Sequence, residues 1–257
     1  MREICNASGH AAPEGIRLST FDAHFHLSKQ LAPSREADRQ RIRLTDRAFR
    51  LACIQDDTEF ALAANLIEQR YAWRGYQIEN EALFERPSNQ VTFAAYQGES
   101  VVGTLTLRTD SSHGLLADEL YQDDIDWYRT HRNAHCCELT RFALAPTRQS
   151  KEVFASLFHL AFIFGREIHQ VSDVFIEVNP RHVSFYHRML GLGQVGTERI
   201  CKRVAAPAVL MHGDLSHIET QIDEHGGSPY LRAKSLYPYF FSKQEALSVI
   251  EQLRWTQ

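Results

Sequence analysis

Apolar positions recur with a readable period along most of the chain, and the changes of period mark its elements. Arg47-Ala-Phe-Arg-Leu-Ala-Cys-Ile54 alternates and predicts a first core strand. Phe60, Ala63, Ala64, Ile67 and Tyr71 fall at helical spacing, with Gly75 as the stop. Val91–Tyr96, a Gly98-Glu99 turn and Val101–Leu107 predict a hairpin. The acidic stretch 110–135 carries Leu115, Leu116, Leu120, Ile125 and Trp127 and predicts a helix. Glu138–Leu144 reads as a strand ended by Pro146. The helix expected from Lys151 to His169 is apolar on two faces, one with Val153, Leu157 and Leu160, the other with Phe154, Phe158 and Phe162, so it should be buried on two sides. Val174–Val178 is a further strand, stopped by Asn179-Pro180 and followed by a short helix with Phe185 and Tyr186. A Gly226-Gly227 loop and an amphipathic helix over 243–253 close the chain.

These elements predict an N-terminal arm over 1–45, a main α/β (α+β) domain over 46–215, and an extension over 216–257 packed on it. Composition adds bounds. Hydrophobic residues are 44% and charged residues 23% of 257, as in ordinary globular proteins. A net charge of −4 without a long basic run sets aside nucleic-acid binding. Cys5, Cys53, Cys136, Cys137 and Cys201 are odd in number and form no C-x-x-C, so they read as reduced thiols of a cytoplasmic protein. No apolar run reaches the roughly 18 residues that span a bilayer, and no transmembrane segment is expected.

Candidate chemistry begins with Glu138 and Arg141 on a predicted inner strand. A charge there is costly unless paired or used. Three residues apart, the two face opposite ways on a regular strand. The order strand, basic turn Arg148–Lys151, long helix, strand, short aromatic helix resembles the acyl-transfer half of the GNAT fold. Glu138-Leu-Thr-Arg141-Phe resembles the Glu-x-Ser-Arg-Phe strand of acyl-homoserine-lactone synthases, with Arg70-Tyr71 and Gly75-Tyr76 at the places of an Arg, an aromatic and a Gly-Trp. Asn179-Pro-Arg-His182, Phe185-Tyr186 and Ala206-Pro207-Ala-Val-Leu210 are closer to the N-acyl amino acid synthases of the FeeM type.

That resemblance implies a mixed central sheet with a splayed parallel strand pair flanked by helices, and pantetheine inserted between the two strands. It implies an acyltransferase joining a medium or long acyl chain from acyl carrier protein to an amino acid. No cofactor is bound on this reading; the 4'-phosphopantetheine of the carrier is the donor arm and no metal is involved. Glu138 is then the candidate general base, Arg141 its orienter or a carboxylate ligand, and Tyr186 the acid for the leaving thiolate. Arg70 and Tyr76 would close the amino-acid pocket, some of Phe154, Phe158, Phe162 and Phe175 would wall an acyl tunnel near the long helix, and Tyr71, Phe142 and Asn179 are further substrate-binding candidates.

CoA-dependent GNAT enzymes open the central helix with a glycine-containing turn that wraps a pyrophosphate. Arg148-Gln-Ser-Lys-Glu-Val153 has no glycine, which favours an acidic carrier docked on Arg148, Lys151, Arg181 and Arg188. Thr106 stands where lactone synthases have an Arg, which makes lactone synthesis the second reading. A third is a non-catalytic acyl-carrier or lipid-binding module. Asp22-Ala-His24-Phe-His26 resembles a metallohydrolase motif, but the repeated strand–helix units of such a barrel do not follow it.

Overall fold

The computed structural model describes residues 49–54, 57–76, 87–228 and 234–254. The arm predicted over 1–45, with Asp22, His24 and His26, lies outside them. Strands β1 (Arg50–Cys53), β2 (Gln90–Gln97), β3 (Ser100–Thr109), β4 (Cys136–Leu144), β5 (Asp173–Val178), β6 (Gly193–Gln194), β7 (Arg199–Cys201) and β8 (Ala206–Asp214) form the sheet. Their order is β1-β2-β3-β4-β5-β8-β6, with β7 also on β8. The β4–β5 pair is parallel and the other pairings are antiparallel. At the β2–β3 turn Gly98 takes a φ of 59°, open to glycine without a side-chain clash.

Helices α1 (Asp57–Trp73), α2 (Asp118–His131), α3 (Ser150–Ile163), α4 (Val183–Leu190), α5 (Leu215–His225) and α6 (Lys243–Arg254) cover it. Strand alternation sorts them by face. Phe93, Leu105, Leu107, Val174, Ile176 and Met211 share one core with α3, with Leu190 of α4, Ile218 of α5 and Val249 of α6. The intervening residues face the other way, where Phe175 and Leu210 meet Tyr121 and Ile125 of α2, and Ala143 meets Leu66 and Ile67 of α1. The two-faced pattern of α3 is thus explained: ten of its residues from Val153 to Ile163 are buried. Full burial of a Leu such as Leu157 stabilises by about 1.5–3 kcal/mol.

The helix expected to run on to His169 widens into a π turn over Phe164–Ile168. Gly165 sits in that turn, where a Cβ would meet Val171 Cγ2 at 2.9 Å. The C-terminal segment is tied to α3 and α4. Tyr237 Oη donates to the Leu190 carbonyl at 2.6 Å, and the Phe241 N–H donates to His159 Nδ1 at 2.8 Å. Burial drives the His159 pKa down to about 3, so its ring stays a neutral acceptor between Phe240 and Phe241.

Candidate active site

Strands β4 and β5 pair at three positions, Cys136 with Asp173, Cys137 with Val174 and Glu138 with Phe175. Beyond Glu138 and Phe175 they diverge around a cleft lined by Leu139–Leu144 and Ile176–Val178. A bulge in β4 accompanies the split. Thr106 faces Thr140 across β3–β4, but Thr104 faces Ala143, so Leu105 is opposed by both Arg141 and Phe142. Arg141 absorbs the extra residue at a φ of 51°. The buried Thr104 hydroxyl holds the Arg141 carbonyl at 2.9 Å. The bulge shifts the alternation, so Leu139 and Phe142, three apart, both pack toward α3.

The cleft passes through the sheet. On the α3 side it opens to about 410 Å³, and on the α2 side to about 200 Å³. Tyr71, Tyr76, Thr140, Arg141, Glu177 and Asn179 line both parts. The larger chamber has an aromatic wall: Phe142 lies 4.8 Å from Phe154 and 5.4 Å from Phe158, and Phe185 stacks on Phe154 at 5.7 Å. Tyr186 joins this wall, its phenol pushed well above 10 by burial, then by the Tyr71 phenol. Arg70, Arg74 and His182 complete the lining. Burial, then Arg74 and Arg181, depress the His182 pKa; its Nε2 meets Arg74 at 2.5 Å and Arg181 at 3.3 Å.

The smaller chamber holds the acids. Glu138, 3% exposed, accepts from the Leu116 N–H at 2.7 Å and the Ala117 N–H at 3.0 Å, at the start of α2. Burial raises its pKa to about 7, against those two amides and the Arg108 and Arg203 charges. Arg108 is its cross-strand partner, two residues beyond Thr106 and on the same face. Glu177 accepts from Arg203 at 2.9 Å, and Arg203 also donates to Glu119 and to the Leu116 carbonyl.

The cleft therefore gathers Glu138, Arg141 and Tyr186, together with Arg70, Tyr71, Tyr76, Phe142, Phe154, Phe158 and Asn179. Two of the aromatic residues expected along the acyl tunnel stand elsewhere. Phe175 is on the α2 face, because Val174 and Ile176 take the α3 face and a strand alternates; it packs on Tyr128 and His212. Phe162 is two turns along α3 from Phe154 and lines a separate apolar cavity. Arg148, Lys151, Arg181 and Arg188 are exposed, with Lys151 over the Tyr239 ring and Arg181 bonded to Tyr76 Oη. Arg74, Glu177, His182 and Arg203 were not anticipated. Glu177 had a signal, a carboxylate on an inner strand, the same as that of Glu138. Arg203 had none, since it reaches the cleft from a turn.

The family described as N-acyl amino acid synthase FeeM matches the chain over residues 62–214. No curated protein matches it. Among solved structures, FeeM, an N-acyl amino acid synthase from uncultured soil microbes, superposes with a TM-score of 0.61 at 26% identity, covering 67% of this chain and 93% of that one. A putative N-acetyltransferase from Lactobacillus plantarum gives 0.48 at 15% identity, over 65% of this chain and 99% of the other. A CoA-dependent acyl-homoserine lactone synthase, BjaI, gives 0.47 at 13% identity, over 65% and 80%. Every residue that builds the split cleft falls inside the matched span, and on that agreement of sequence and architecture the chain belongs to the FeeM family of N-acyl amino acid synthases, with the GNAT fold, and is an acyltransferase.

Proposed function

We propose that this enzyme transfers a medium- or long-chain acyl group from the 4'-phosphopantetheine arm of acyl carrier protein to the amine of an amino acid. The observation that carries the reading is the cleft through the sheet, with the aromatic wall of Phe142, Phe154, Phe158 and Phe185 in its larger chamber and the buried Glu138 with Arg203 in its smaller one. The thioester enters on the α3 side, with its chain against Phe142, Phe154 and Phe158. The amino acid approaches from the α2 side, where Arg141 and Arg203 line the chamber beside Glu138.

Glu138 takes the ammonium proton, directly or through a water. A carboxylate with a pKa of about 7 is a competent base near neutral pH. The freed amine attacks the thioester carbonyl, the C–N bond forms and the C–S bond breaks; the nitrogen gives up its second proton as the thiolate takes one, leaving amide, thiol and the single proton on Glu138, which passes to solvent. Tyr186 is the donor proposed for the thiolate, held protonated by burial. Donors fixed at the split strand edge suit the tetrahedral oxyanion. The turn before α3 supports a carrier donor. It has no glycine to bring its amides close around a pyrophosphate.

The test compares acyl-carrier and acyl-CoA thioesters of one chain length, with mixed amino acids, reading thiol release and N-acyl product by mass. A carrier preference with an N-acyl amino acid product is expected. A higher kcat/KM with the CoA donor, or thiol release without such a product, would overturn the reading.

A further inference from the structure

Behind the aromatic wall lies a second cavity of about 40 Å³, between α3, the closed half of the β4–β5 pair and α5. Cys137, Ala161, Phe162, Gly165, Ile218 and Phe240 are among its walls. Apart from the Cys137 thiol, these side chains offer no hydrogen bond. The space exceeds the roughly 10–15 Å³ one water needs, yet it lacks the polar partners a water requires, so it is a dry apolar hole. Natural cores keep few such holes, because each forfeits dispersion contacts.

Its position gives the hole a use. Leu139 and Phe158 line both it and the large chamber of the cleft, so these two side chains separate the spaces. Leu139 is the first β4 residue beyond the paired half. Phe158 stands edge-on to Phe142 and Phe154. The far wall comes from Ile218 and Phe240, both beyond residue 214, where the family match ends.

Resting on the acyl-transfer reading above, we infer that Phe158 is a chain-length gate. A chain that ends at Phe158 fills the large chamber alone. A longer chain turns the ring aside and threads its terminal methylenes into the cavity walled by Ala161, Ile218 and Phe240. Specificity for length is then set on α3 and by the C-terminal segment, away from the reacting carbonyl.

Phe158→Ala merges the two spaces, and Ala161→Leu fills the inner one without touching the cleft lining. Both variants and the natural protein should be compared for turnover over a series of acyl-carrier thioesters. Binding of saturated fatty acids of the same lengths, read by calorimetry, accompanies it. Phe158→Ala should move the preferred length upward. Ala161→Leu should depress the longest chains and spare the short ones, each excluded methylene costing about fourfold in kcat/KM or affinity. The calorimetric shift without turnover in any protein supports the gate and removes the enzymatic reading. Turnover with an unmoved length profile in Ala161→Leu, folded by its melting curve, overturns the gate and leaves the enzymatic reading standing.

Discussion

The two halves of the β4–β5 pair are built from the same strands and do opposite things. In the closed half the polar groups bind one another. Asp173, 2% exposed, accepts from Ser172 at 2.6 Å, pairs with His212 at 2.7 Å and lies 3.2 Å from Arg132, which also holds Asp214 at 2.6 Å. In the open half one extra residue at Arg141 breaks the register, and the residues that follow face a cavity. Glu138 stands at the boundary and belongs to both, anchoring the start of α2 while lining the smaller chamber. A closed, satisfied half fixes the strands so that the other half can stay apart.

The largest effect should come from the boundary. Glu138→Gln is expected to lower kcat by about 10²–10⁴-fold and to erase an inflection near pH 7 in the rate profile. It also has a stability signature. With a folded pKa raised from 4.5 to about 7, Glu138 keeps a proton that the unfolded chain has lost between those values, so its contribution falls as pH rises through that window. In the variant that decline should vanish from denaturant titrations. Turnover unchanged in a folded variant would move Glu138 wholly to the structural side.

Next is the closed half. Asp173→Asn should cost about 3 kcal/mol, near the low end for breaking a buried pair, because Arg132 is partly exposed. Turnover per folded molecule should hold. The Asp173 pKa is depressed chiefly by its His212 and Ser172 bonds working against desolvation. Its stabilisation is therefore present above the unfolded carboxyl value and lost as pH falls through the folded one. The stability gap between variant and parent should therefore close in acid, and a gap as wide there as at neutral pH would contradict this account.

Thr104→Val keeps the shape and removes the hydroxyl from the Arg141 carbonyl. About 1 kcal/mol of stability and about fivefold in turnover should go with it, the bulge being less firmly placed. Intact turnover would show that the bulge holds itself. Charge reversal at Arg148 and Lys151 should have the smallest effect, a slower encounter with an acidic carrier that high salt abolishes. Equal loss with a free pantetheine thioester would show damage to the cleft instead.

The sequence made the repeating parts legible. Alternation located β2, β3, β4 and β5, and the two-sided pattern of α3 follows from its burial against the sheet and the C-terminal segment. Glu138, Arg141 and Tyr186 were readable as charged or polar residues at strand and helix positions that need a reason. The bulge was not readable. A period of two has no mark for one inserted residue, and Arg141 is not a residue type that announces a positive φ. The same rule of alternation, applied to β5, would have placed Phe175 on the α2 face. Arg203 reaches the cleft through tertiary packing alone, which no local pattern records.

The bond from the Phe241 amide to His159 joins residues on either side of position 214, where the matched span stops. Burial keeps that ring a neutral acceptor, so the bond is not broken by protonation near neutral pH. It makes the segment beyond residue 214 part of the lining of a core helix that lies inside the matched span. Substitutions at Phe240 or Ile218 would then reshape the inner cavity and leave the split strands of the cleft unchanged. The C-terminal segment and the split strands thus build separate walls of the molecule, joined through the His159 imidazole and the Tyr237 hydroxyl.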